Sequence, residues 1–181
     1  MKRFFKILGI IVLLLVAYVV IAMLAFSKEY SCERSIEINA SPDQVWSHIN
    51  SMEKINEWNP WMKLDPAMKR MYTGNSGSIG DKFCWDSTSD DAGKGCQEIT
   101  NLGYYGNSNG FVSSIIKFER PFEGLAFSDI KIEKKSNVTK VIWRMKTEMA
   151  TFMLPMKPFM DGQMKKSYDE GLQSLKQISE K

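Results

Sequence analysis

The residues able to do chemistry in this chain are few, and their spacing does not assemble them. His48 is the only histidine, so a Ser-His-Asp or Cys-His arrangement has one candidate base and no nucleophile placed beside it. It falls on a short helix, where a structural or surface role is expected. Cys32, Cys84 and Cys96 form no C-x-x-C pair, and Asp90-Asp91 sits among turn residues, so no metal-ligand pattern emerges. No glycine-rich phosphate loop follows a strand. Acid–base work could fall to Asp86, Glu98 or Tyr168, because a buried carboxyl can be tuned toward neutral pH. Strand alternation nevertheless turns Asp86 and Glu98 outward. No catalytic residue, metal or cofactor is expected.

Cys84 and Cys96 carry the most specific local expectation. Both fall on the outer face of adjacent strands, on either side of one hairpin loop. In an oxidising compartment such a pair closes a disulfide, whereas in the cytoplasm it stays as two thiols. Cys32 lies on the apolar face of the first strand and is expected to be buried.

The elements that must position these residues begin with an anchor. Ile7 to Phe26 is an unbroken apolar run, and crossing a bilayer core takes roughly 20 helical residues. A cleaved signal sequence is the rival, but its apolar stretch is shorter, about 7–15 residues, and ends in a small-x-small site that Met23-Leu24-Ala25-Phe26-Ser27 lacks. Lys2, Arg3 and Lys6 place the N-terminus in the cytoplasm and the rest of the chain outside it. In a bacterium this describes a single-pass inner-membrane protein with a periplasmic or otherwise extracytoplasmic domain. The expected division is a basic flank over 1–6, the anchor over 7–26, a linker over 27–29 and one domain over 30–181. With the three flank residues set aside, the 24 Lys and Arg become 21, equal to the 21 Asp and Glu. A neutral domain lacks the electrostatic footprint of a nucleic-acid binder, and Lys131, Lys134, Lys135, Lys165 and Lys166 are expected on solvated faces.

Tyr30, Cys32, Ile36 and Ile38 alternate with polar residues, the period of a half-buried strand. Ser41-Pro42-Asp43 then caps a helix: a serine N-cap, a proline where no donor is needed, and an acid at the positive end of the helix dipole. A second short helix runs through Ile55 to Trp58. From about Met68 to Thr147 turn signals punctuate a β-meander, with strands expected near Ile79–Ser87, Gly95–Leu102, Phe111–Phe118, Gly124–Glu133 and Val138–Thr147. Pro155 and Pro158 mark the entry to a final helix over about Phe159–Ser179, whose buried stripe is Met160, Met164, Tyr168, Leu172, Leu175 and Ile178. Strands followed by one long helix argue for an α+β domain.

This order, and the residues at its joints, resemble the START-like or SRPBCC superfamily, in its polyketide cyclase/dehydrase branch. The matching residues are Ile36 to Trp46, Trp58-Asn59-Pro60-Trp61, Gly77-Ser78-Ile79-Gly80, Gly93-Lys94-Gly95, Phe118-Glu119-Arg120-Pro121-Phe122, Thr139 to Trp143 and Gly171 to Lys176. The resemblance implies a helix-grip fold, a curved antiparallel sheet of about seven strands around the C-terminal helix, with an apolar ligand cavity between them. Strand parity selects its lining: Phe83 and Trp85, Gln97 and Ile99, Ile116 and Phe118, Trp143 and Met145. Met160, Met164 and Tyr168 face them from the helix, and Trp58 and Trp61 stand near the rim. The same residues could instead pack solidly against one another. Met145, Met149, Met153, Met156, Met160 and Met164 crowd the helix entry, either as an adaptable mouth or as gap-fillers, and Phe152 to Pro155 could touch the membrane.

Three functions fit. The first is non-catalytic, membrane-anchored binding of a hydrophobic small molecule or lipid. The alternatives are a cyclase- or dehydratase-like enzyme and an envelope protein-interaction module.

Overall fold

A computed structural model describes residues 2–181; Met1, the first residue of the expected basic flank, lies outside the described residues. Helix α1 (Lys2–Ala25) leads into strand β1 (Glu29–Ile38), helices α2 (Pro42–Trp46) and α3 (Met52–Trp58), and a 3₁₀ turn, Pro60–Lys63. Six strands follow: β2 (Lys69–Thr73), β3 (Lys82–Asp86), β4 (Lys94–Tyr104), β5 (Asn109–Arg120), β6 (Gly124–Lys135) and β7 (Val138–Glu148). A second 3₁₀ turn, Thr151–Met156, precedes helix α4 (Lys157–Ser179). The seven strands form one antiparallel sheet in the order β1-β7-β6-β5-β4-β3-β2, so the first strand returns to pair with the last.

Local chemistry accounts for the joints. Ser41 and Gln44 form a reciprocal capping box at the start of α2, with Pro42 in the first turn. Ser51 caps α3 through the amide of Lys54. The buried Asp81 carboxylate accepts from the amides of Met52 and Gly77 at 3.0 and 2.9 Å, tying α3 to the loop before β3. That loop corrects the expected strand over Ile79–Ser87. Gly77 and Gly80 both have positive φ, so the chain turns there, Ile79 is exposed, and β3 begins only at Lys82.

Helix α4 runs alongside β1 in the same direction. Lys157 Nζ donates to the carbonyls of Ser27 and Glu29, Tyr30 Oη to Asp161, and Arg34 grips Asp169 with two bonds of 2.7 and 2.8 Å. Further along, Lys176 Nζ reaches the carbonyl of Glu37, and Glu180 accepts from the amide of Asn39. Helix and strand stay level because roughly 1.5 Å of rise per helical residue over 23 residues matches roughly 3.3 Å per strand residue over 10. The pairs sit at the surface, where solvent screening leaves each of them weak. Their value is positional: they hold α4 over β1 and β7 and away from β3 to β5.

His48 is half-buried at the end of α2, and its Nδ1 has no hydrogen-bond partner. Burial lowers its pKa below the ordinary value. A depressed histidine contributes stability that is complete above the unfolded value near pH 6.5 and declines as pH falls below it. Glu119 and Glu180, lowered chiefly by side-chain hydrogen bonds from Lys94 and Lys176, lose their contribution only in the more acidic carboxylate range. The thermal midpoint should therefore fall between pH 7 and 5, and the slope should flatten in His48→Gln. An unchanged slope in that variant would assign the loss elsewhere.

Candidate functional site

The concave face of the sheet has two unlike halves. Beneath α4 it is filled. Trp143 meets Trp58 and Trp61 edge-on at centroid distances of 5.0 and 5.7 Å and lies 4.1 Å from the Tyr168 ring. Gly171 permits this approach, because a Cβ there would come within 2.8 Å of the Trp143 ring. Trp58 was expected near a rim, but it is buried, with its Nε1 donating to the His48 carbonyl. Trp143, Met145, Ile99, Phe83 and Tyr168 are likewise buried in the core. Burial pushes the Tyr168 hydroxyl well above its ordinary pKa, so it stays protonated.

Beyond α4 the inner face carries half-exposed side chains. Register places Phe83, Gln97 and Ile116 in one row across β3, β4 and β5, with Trp85, Gly95 and Phe118 in the next. Trp85 stacks near Phe83, meets Phe118 edge-on and donates its Nε1 to the Ala92 carbonyl. Its indole lies over Gly95, where a Cβ would meet it at 2.8 Å. Trp85, Gln97, Ile116 and Phe118 are all half-exposed. Met160 and Met164, half-exposed on the same helical face as Tyr168, pack against the edge of the core from α4. The result is a row of half-exposed apolar side chains packed against the edge of the core, at the end of the sheet that carries the β5–β6 turn.

One polar thread crosses it. Gln97 Nε2 donates to Ser114 Oγ at 2.8 Å, Ser114 Oγ reaches the Ser128 carbonyl at 3.4 Å, and Trp143 Nε1 donates to Ser128 Oγ at 3.1 Å. Sequence reading found Gln97 but missed Ser128, which inward parity on β6 could have found. Asp86 and Glu98 lie on the outer face, paired with Arg120 and Lys82. Cys84 and Cys96 face each other in register on that same side with their sulfurs bonded. Cys32 is buried beside Tyr30, and burial raises its thiol pKa. Among the described residues, open clefts lie elsewhere. One of about 640 Å³ lies on the outer face around Phe111 and Lys131, and one of about 560 Å³ lies at the α1 joint around Phe26, Tyr30 and Lys157.

Comparison with known proteins gives a consistent result. The family model described as polyketide cyclase / dehydrase and lipid transport matches residues 30–180. No curated protein matches the sequence. Among solved structures, a hypothetical protein from Helicobacter pylori aligns at a TM-score of 0.60 with 13% identity, covering 83% of this chain and 87% of its own. Ara h 8.0201 aligns at 0.59 with 13% identity, covering 83% and 97%. An uncharacterised Bacillus thuringiensis protein aligns at 0.54 with 20% identity, covering 83% and 98%. At such identities the likeness concerns the fold alone.

Proposed function

The chain belongs to the polyketide cyclase/dehydrase and lipid-transport family, and from that premise we propose that it binds a hydrophobic small molecule or lipid without transforming it. The binding surface in this reading is a trough formed along the half-exposed apolar row of β3 to β5, and α1 is a membrane anchor that leaves the domain outside the cytoplasm. The observation that carries the reading is the half-exposure of an inward-facing apolar set: Trp85, Ile116, Phe118, Met160 and Met164 offer apolar surface, and Gln97 offers a polar contact. A mostly apolar concavity with few polar groups is the usual form of a small-molecule site. One of the two Gln97 amide protons goes to Ser114, so the other proton and the carbonyl oxygen are left for a hydroxyl or amide of the ligand.

Native mass spectrometry of the full chain from its own host tests this. A co-purifying lipid-like mass is expected, displaced by an apolar dye. Repeated isolation without bound mass, together with no dye binding, would refute it, and a ligand recovered chemically altered would favour the enzymatic reading. Gln97→Leu should cost about 1 kcal/mol of stability while weakening a hydroxylated ligand by about tenfold. Equal affinity for hydroxylated and purely apolar ligands, before and after the change, would remove Gln97 from the site.

A further inference from the structure

We infer that the Thr151–Met156 turn, the first turn of α4 and the β5–β6 turn form a foot embedded in the leaflet on the domain's side, with the trough opening onto that leaflet. The inference rests on reading α1 as a bilayer-spanning anchor. It begins at the joint, which is not a free tether. The Lys28 carbonyl accepts from the Met149 amide at 2.8 Å, and Lys157 Nζ holds the carbonyls of Ser27 and Glu29 at 2.7 and 2.9 Å. Between Ala25 and β1 the chain is therefore bound on both sides.

Helix α1 also continues past the base of the domain, with the 151–156 turn packed against it. Tyr18 Oη donates to the Pro155 carbonyl at 2.8 Å, and Ala22 and Leu154 are fully buried. Eight helical residues separate Tyr18 from Phe26, a rise of about 12 Å. If Ile7 to Phe26 fills the roughly 30 Å hydrocarbon core, the turn bonded to Tyr18 lies inside it.

The side chains at that depth suit hydrocarbon. From Met149 to Met160 the only charged residue is Lys157, whose ammonium is occupied by the two carbonyls. Phe152, Met156 and Phe159 are exposed there, and Phe122 of the β5–β6 turn meets Phe152 at a centroid distance of 5.4 Å. Leu125 and Phe127 are also exposed, on the outer face of β6. Contiguous exposed apolar surface of this kind marks an interaction site, and its continuity with the exposed face of α1 makes lipid the occupant. Met153, Met160, Trp85 and Phe118 stand at the same end, so a ligand could pass between leaflet and trough without crossing water.

Spin labels on the full chain in phosphatidylcholine vesicles test the foot. In a Cys32→Ala background, Leu14→Cys reports on the anchor, Met156→Cys on the foot and Tyr105→Cys on the opposite end of the domain. The expected result is that positions 14 and 156 are open to oxygen and lose access to a water-soluble nickel complex, while 105 keeps it. Should Met156→Cys misfold, Phe152→Cys replaces it. Nickel access at 156 equal to that at 105, with 14 still shielded, overturns the foot alone. Nickel access at 14 overturns the anchor reading beneath it. A position 156 closed to both reagents means that a second copy covers the patch, which also overturns the proposal.

Discussion

Trp143→Ala should destabilise the domain by about 4 kcal/mol, within the range for large-to-small substitution of a buried aromatic residue. The indole is almost fully buried, touches the rings of Trp58, Trp61 and Tyr168, and donates to Ser128. Removing it loses the transfer free energy of the ring, opens a cavity that α4 cannot close while its polar bonds to β1 hold, and leaves the Ser128 hydroxyl without its donor. In a chain of this size the thermal midpoint should fall on the order of 10 °C. The cavity should adjoin the trough, so an apolar dye that binds weakly to the parent should bind the variant more tightly. A small planar aromatic molecule should restore part of the lost stability. Trp143→Phe should fall between parent and alanine variant. A loss below about 1 kcal/mol, typical of surface substitutions rather than core ones, would show that the rings do not form one packed unit.

Cutting the Cys84–Cys96 bond is the second large effect. The two positions are 12 residues apart, and a loop of about that size stabilises by about 3 kcal/mol through restriction of the unfolded chain. Cys84→Ser with Cys96→Ser should therefore lower stability by about that amount in the protein matured outside the cytoplasm. Reductant should lower the parent to the same level and leave the double variant unmoved. Thiol counting makes the compartment part of the test. Cys32 is buried and its thiol pKa is raised, so the native protein should resist alkylation. Unfolding without reductant should expose one thiol, and with reductant three. Three thiols without reductant would remove the bond and, with it, the argument for an oxidising location.

Much of the scaffold could be read from the chain because its signals are local. The Ser41-Pro42-Asp43 cap, the alternation through β1 and the stripe from Met160 to Leu175 each depend on residues within one or two turns or strands. The beginning of β3 could not be read, because Ile79 looks like a strand residue and only the positive φ of Gly77 and Gly80 takes it out of the ladder. Short β2 offered no alternation of burial to find: every residue in it is exposed. The interior was the harder problem. Parity assigned Trp143, Ile99 and Phe83 to the inner face, but whether such residues enclose space or fill it depends on where α4 lies. That placement is set by Arg34 meeting Asp169 and Tyr30 meeting Asp161, more than 130 positions apart, and no period in the sequence encodes it. Trp58 was misplaced for the same reason.

The alignment of α4 with β1 also orders events in time. Strand β1 is among the first parts of the domain to be synthesised, and α4 is the last. Each bond between them, from Lys157–Glu29 to Glu180–Asn39, therefore closes nearly the whole domain into a loop. Contacts of such high sequence separation delay folding, because chain entropy is lost before they form. Until the final residues emerge, the inner rings of the sheet have no cover, and the nascent domain remains a bare, aggregation-prone surface. The interior is completed only when α4, the last element of the domain, packs over β1 and β7.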